Sequence, residues 1–210
     1  MKKTLLALFL FTIPINSSAQ EYFFKEINAF KFSPLRMVDP ITPGLEFSFE
    51  KQLLPIASVQ LTGAKLMIMF PALSNPITNL EGTRWALEVK YFLAQAKKSV
   101  WYASFEAAFV QSEYNTILNF SYYDDSIHVK KKTTSLNFKT GFYFDFKPIV
   151  LDFYAGIGLK FRNVRHEERL NPRDNLYNEI LPYNPHYFAS QETRKLKFNV
   201  PLGFRVGYNF

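Results

Sequence analysis

Every second residue from Leu196 to Phe210 is apolar: Leu196, Phe198, Val200, Leu202, Phe204, Val206, Tyr208 and Phe210. Lys197, Asn199, Pro201, Gly203, Arg205, Gly207 and Asn209 lie between them. Successive side chains of a strand point to opposite faces, so the segment predicts a long strand with one oily and one polar face. The chain is 48% hydrophobic. Each apolar–polar pair therefore has odds of at most roughly one in four, and seven in a row are expected by chance at roughly one start in ten thousand. A two-faced strand of this length, running to a final Phe, points to the wall of a barrel in an outer membrane.

The period recurs along the chain. Apolar Phe30 and Phe32 alternate with Lys31 and Ser33 within 29–35; Leu45, Phe47 and Phe49 alternate with Glu46, Ser48 and Glu50. Val59 and Leu61 carry a weaker version, and Trp85–Leu93, Trp101–Phe109, Leu136–Phe146 and Leu151–Phe161 carry strong ones. With the terminal segment these make eight strands, an even number as bacterial barrels require. Connections at 51–55, 94–100 and 146–148 are short, whereas 66–82, 114–130 and 166–193 are long; 38–44 is brief. Short turns on one side and long loops on the other are the outer-membrane arrangement, with both termini in the periplasm. The expectation is therefore an all-β fold, an eight-stranded antiparallel up-and-down transmembrane β-barrel.

The first residues predict a secretory signal. Lys2 and Lys3 precede the apolar stretch Leu5–Ile15, and Ser17 and Ala19 supply the small-x-small pattern for cleavage after Ala19. Residues 1–19 are thus read as a cleaved signal peptide and 20–210 as a single outer-membrane barrel domain. Beyond the signal no apolar run reaches the length of a spanning helix, since Pro71 interrupts Leu66–Leu73. Only a closed barrel then pairs every backbone polar group in lipid. The absence of cysteine argues against a disulfide scaffold. The net charge of +7, to which Lys2 and Lys3 contribute, is compatible with anionic headgroups.

Orientation is the next question, because a soluble lipocalin-like periplasmic carrier would turn the apolar face inward. Gly141, Gly156, Gly158, Gly203 and Gly207 fall on the polar face with Ala86, Ala108 and Ser104, as a narrow lumen needs. The apolar face is dominated by Phe, too bulky for so small an interior. Tyr91, Trp101, Phe146, Tyr208 and Phe210 gather at strand ends, where membrane-interface aromatics belong. The oily face is therefore placed outward. The lumen then receives Glu46, Glu50, Glu88, Glu106, Asp145 and Asp152 with Arg84, Lys90, Lys139, Lys160, Lys197 and Arg205. Strand directions put Glu46, Glu88, Lys90, Glu106, Lys139 and Arg205 near mid-height. Charges buried in such number must neutralise one another, which favours a salt-bridged plug over a polar passage.

The opening Asn28-Ala-Phe-Lys-Phe-Ser-Pro, the stretch Leu45-Glu-Phe-Ser-Phe-Glu-Lys-Gln-Leu, Glu88-Val-Lys-Tyr-Phe-Leu and the closing Gly203-Phe-Arg-Val-Gly-Tyr-Asn-Phe carry a resemblance. The chain resembles the small outer-membrane barrels of the Bacteroidota, related in form to the OmpA-type transmembrane domain. The resemblance implies a fold, a membrane and insertion by the barrel-assembly machinery. It carries no catalytic residue across.

Candidate chemistry is sparse. Ser126, His128 and Asp124-Asp125 lie close in an expected outer loop, and His166 and His186 lie in the last one with Glu167 and Glu168. An outer-leaflet acyl hydrolase would need a nucleophile, base and orienting acid in contact, which proximity in sequence does not supply. No catalytic, cofactor or metal site is therefore assigned, and a lipid-modifying enzyme is kept as the alternative. A basic cluster is more suggestive: Lys130, Lys131, Lys132, Arg162, Arg165, Arg194 and Lys195 fall at the outward ends of three neighbouring strands. There they would meet lipopolysaccharide phosphates. Loop aromatics Tyr114, Tyr122, Tyr123, Tyr177, Tyr183, Tyr187 and Phe188 suit contacts with protein or glycan. The expectation is a monomeric membrane barrel with a structural or interaction role and no nucleic-acid partner.

Overall fold

The computed structural model describes residues 27–39, 41–70, 77–96, 99–119, 124–167 and 193–210. The expected signal peptide lies outside them. The strands are β1 (Asn28–Phe32), β2 (Gly44–Leu54), β3 (Ala57–Leu66), β4 (Ile77–Ala96), β5 (Ser99–Asn119), β6 (Asp124–Phe146), β7 (Ile149–Glu167), β8 (Thr193–Asn199) and β9 (Leu202–Asn209). A 3-10 turn covers Pro34–Val38. From β1 to β7 each strand pairs antiparallel with the next, and β9 pairs with both β7 and β1. That closes a ring of eight, the up-and-down barrel the alternation predicts. Pairing around the ring leaves no edge along the closed part of the wall.

Two prolines account for the departures from the expected strand ends. β1 stops at Phe32 instead of continuing to Leu35, because Pro34 has no N–H for the ladder and opens the 3-10 turn. The terminal strand is split into β8 and β9 at Val200–Pro201 for the same reason. Both halves pair with β7, and the Gly156 N–H donates to the Pro201 carbonyl at 2.9 Å across the break. The expected loops are shorter than the alternation suggests. β5 continues to Asn119 and β6 begins at Asp124, so most of 114–130 is strand. His166 likewise lies within β7.

The wall is oily outside and ionic inside over its lower part, toward the short turns. Phe30, Phe47, Phe49, Trp85, Phe105, Phe138, Phe142, Phe153 and Ile157 are all exposed on the outer face. They stack across strands, as Phe30 does on Phe47 at 5.6 Å between ring centroids and Phe153 on Phe204 at 5.7 Å. Higher up, the polarity inverts along the same strands. Leu66, Ile77, Leu80, Tyr114, Ile127, Val129 and Val164 form a buried apolar cluster inside. Lys65 and Lys132 are exposed outside, with Gln111, Glu113 and His128 half-buried on that face. Tyr114, read as a loop aromatic, is buried in this cluster. The other loop aromatics named above lie outside the described residues.

Inward glycines make room for large inward neighbours. A Cβ on Gly203 would sit 2.5 Å from the Tyr154 hydroxyl, and one on Gly141 would sit 2.5 Å from that of Tyr102. Each glycine is thus a hollow filled by a tyrosine from the adjacent strand.

Candidate functional site

The lower lumen holds a continuous ionic network. Five carboxylates (Glu46, Glu50, Glu88, Glu106, Asp152) and five cations (Lys31, Arg84, Lys90, Lys139, Arg205) are buried within it. Near the short turns, Lys31 contacts Glu50 and donates to Asp152 Oδ2 at 2.8 Å. Lys90 bridges the same two acids at 2.9 and 2.6 Å. Asp152 also accepts from the Tyr102 hydroxyl, and Glu50 accepts from Ser58. Arg205 joins this group to the one above. Its Nη1 lies 3.3 Å from Asp152 Oδ2, and its Nη2 lies 3.1 Å from Glu88 Oε2, at ion-pair distance without a hydrogen-bonding angle. Lys139 bridges Glu88 and Glu106 at 2.7 and 3.0 Å. Arg84 reaches Glu46 at 3.0 Å and Glu106 at 3.4 Å.

Tyrosine faces complete the packing. Lys31 lies over Tyr143, Lys90 over Tyr102, and both Lys139 and Arg205 over Tyr154, at 4.3–4.7 Å from the ring centroids. Cations so placed gain from the negative ring face where water is excluded. Beneath them Ile27, Ala29, Val100, Tyr102, Tyr143 and Val150 form an apolar floor. Removing an ion from water costs several kcal/mol, and equal numbers of each sign in mutual contact offset that cost.

All six residues expected at mid-height belong to this network, joined by Glu50, Asp152 and Arg84 from the wider list. Asp145 does not; its Oδ1 accepts from the Lys147 N–H at the β6–β7 turn. Lys160 and Lys197 do not join either. Lys31 alternates on the polar face of its strand and is absent from the expected lumen set, yet its contacts with Glu50 and Asp152 make it central. Lys31 is the one charged residue of the five-residue strand β1, the shortest in the ring, so periodicity offers little warning there.

Above the network the lumen widens into a cavity of about 620 Å³. Arg84, Glu46, Glu106, Asn137 and Tyr154 form its lower lining, and Lys131, Lys160, Arg162 and Lys197 stand in its walls. Among the described residues, the acids that face it are Asp39, Glu46 and Glu106, each already engaged by Arg36, Arg84 or Lys139. Burial, reinforced by Arg162 and Lys160, brings Lys131 down to about 7.

The basic rim cluster is not a single patch. Lys131 and Arg162 are each only 6% exposed and turn into the cavity. Consecutive residues of a strand face opposite ways, so Lys130, Lys131 and Lys132 cannot share one face. Lys132, Arg165 and Arg194 are exposed outside, above the oily belt, and Lys130 there pairs with Glu167 at 2.8 Å. Lys195, opposite Arg162 in register, is exposed at the strand end. The aromatics Tyr91, Trp101, Phe146, Tyr208 and Phe210 are exposed on the outer face toward the short turns, and the Trp101 indole donates to Thr140 at 2.6 Å.

Among the described residues, Asp125, Ser126 and His128 do not converge on one side of the wall. Asp125 is buried, while Ser126 is exposed and His128 half-buried on the opposite side of the strand. The His128 Nδ1 lies 2.8 Å from Asn115 Oδ1, and its Nε2 lies 3.6 Å from Glu113. His186 and Glu168 lie outside the described residues. Comparison with protein-family models, with curated proteins and with solved structures returns no match.

Proposed function

We propose that this protein is an integral outer-membrane barrel whose lumen is sealed by salt bridges and whose role is structural or interactive. The observation that carries this reading is the inversion of polarity along single strands. On β5, Trp101, Phe105 and Phe109 face outward below, whereas Gln111, Glu113 and Asn115 take that face above and Tyr114 turns inward. On β6, Phe138 and Phe142 are outside, whereas Ile127 and Val129 are inside. A wall that changes sides in this way matches a surrounding medium that changes from hydrocarbon to water. The apolar stretches Trp101–Phe109 and Ile149–Phe161, tilted by about 40°, would cover about 20–30 Å of membrane thickness. An aqueous carrier has no use for an outer belt of phenylalanine.

The test is electrophoresis of boiled against unboiled protein, together with membrane fractionation of the producing cell. A heat-dependent mobility and recovery with the outer membrane are expected. One mobility in both samples, with the protein in the aqueous fraction, would remove the reading.

Contact with lipopolysaccharide falls to the outward part of the rim: Lys132, Arg165 and Arg194. Each such charge contributes about 1 kcal/mol near an anionic surface. Neutralising all three should lower retention of co-purifying glycolipid by about two orders of magnitude in affinity. Retention equal to the unaltered protein would dismiss the rim as a glycolipid contact.

A further inference from the structure

Among the described residues, the hydrogen-bonded wall has a seam. β1 pairs with β9 only from Ala29 to Phe32 against Val206–Asn209. Above that point β9 has β7 on one side, and β8 has β7 alone among the described strands. The chain that should cover the other side becomes the 3-10 turn at Pro34 and rejoins the sheet as β2. The cationic cavity reaches this seam. Leu35, Arg36, Ile41 and Thr42 line it from one side, and Val200, Pro201, Leu202 and Phe204 from the other. Seam residues Leu202 and Val200, and Leu196 and Phe198 on the β8 edge, are among the most exposed apolar side chains of the protein, at 62–74%.

The arrangement joins two chemistries. Inside stand Lys131, Lys160 and Lys197 with Arg162, and among the described residues the acids lining the cavity are held by Arg36, Arg84 or Lys139. At the seam the wall is apolar and opens at the level of the oily belt. We propose that this cavity binds an anionic amphiphile, its phosphate-bearing headgroup held by Lys131, Lys160, Arg162 and Lys197 and its acyl chain leaving through the seam. The site rests on the membrane reading above, because only a belt set in hydrocarbon gives the chain somewhere to go. It is distinct from the outer-face contact at Lys132, Arg165 and Arg194, which lies across the wall. A buried lysine facing cations also gains the most from an anion.

The experiment uses the full chain, purified in a non-ionic detergent. Dilauroyl phosphatidate, dilauroyl glycerol and inorganic phosphate are titrated separately and read by native mass spectrometry. One equivalent of phosphatidate is expected to bind, with inorganic phosphate weaker and dilauroyl glycerol not retained. Lys131→Gln with Lys160→Gln should weaken phosphatidate at least tenfold. Lys65→Gln, on the outer face of β3, should not change it. The cavity variant removes mutually repelling cations, so it should fold at least as well as the parent, checked by heat-dependent mobility. A phosphatidate with a diazirine in its acyl chain should label Leu35, Val200 or Leu202, and the labelling should vanish in the cavity variant.

Equal affinity in the cavity variant, or labelling spread evenly around the belt, would overturn the proposal. Inorganic phosphate binding as tightly as phosphatidate would make this a site for soluble anions and overturn the amphiphile. If instead the barrel proved aqueous by fractionation, the membrane reading and the acyl exit would fail together, whereas equal affinity in the cavity variant of a membrane-recovered barrel would overturn this proposal alone.

Discussion

Lys131 is the residue at which burial and charge are most at odds. Arg162 and Lys160 on β7 face it, Arg36 and Asp39 approach from the 3-10 turn, and β5 places Ser112 beside it. Its ammonium keeps its proton to about pH 7 in the folded barrel and to the ordinary lysine value of 10.5 in the unfolded chain. Between those values the unfolded chain binds more protons, so raising the pH through that window favours the folded state. The penalty is fully present below about 7 and gone above 10.5. The midpoint of heat-dependent mobility should therefore rise by a few degrees from pH 7 to pH 9.5, and Lys131→Met should raise it at pH 7 and flatten the slope. An unchanged slope in that variant would show that another group titrates. The lumen acids were legible as a balanced set because strand alternation assigns their face without any knowledge of partners. The rim was not, since seven cations near one end of three strands look like one patch until each is assigned its side of the wall.

At the scale of the element, glycine hollows and the strands beside them act together. The three closest atoms to a Cβ on Gly203 all belong to the Tyr154 side chain, with no backbone among them. Gly203→Ala must therefore push Tyr154 off Lys139 and Arg205, and should cost about 1–3 kcal/mol in urea unfolding. In a Tyr154→Leu background the same substitution should cost far less, as a double-mutant cycle would record. Equal costs in both backgrounds would mean that the hollow has some other purpose. The existence and order of the strands were readable because hydrophobic alternation is strongest where one face is oily. Pro34 and Pro201 stand in the sequence as plain signals that the ladder must stop there, yet the alternation of side chains runs straight through both. The upper halves of β5 and β6 read as loop for a different reason. On β5 the odd positions turn polar at Gln111, Glu113 and Asn115 while Tyr114 takes an even one, and on β6 Ile127 and Val129 stand at odd positions above the even-numbered Phe138 and Phe142, so a pattern sought in one phase dissolves where the wall changes sides.

Across the whole molecule the lumen divides into tiers: an apolar floor, a neutral ionic lattice, and a cationic cavity open at a seam. An eight-stranded ring is wide enough for side chains to fill it or for one small ligand, and no more. Here Tyr102, Tyr143, Lys31, Lys90, Lys139 and Arg205 are its largest fully buried occupants in the lower part. A passage for ions would need a continuous column of water through that lattice. Opening one would strip partners from charges that have no other neutralisation, at about 3–5 kcal/mol for each broken buried pair. The barrel in a planar bilayer should therefore show no stepwise conductance. Replacing Lys31, Tyr102 and Tyr143 together by Ala removes both floor tyrosines and the cation stacked on one of them, and leaves Asp152 and Glu50 to attract water and cations. Discrete cation-selective steps should then appear, provided heat-dependent mobility shows the variant folded. Steps of the same size from the unaltered barrel would mean that the lattice conducts, and the division into a sealed lower lumen and an open upper cavity would have to be abandoned.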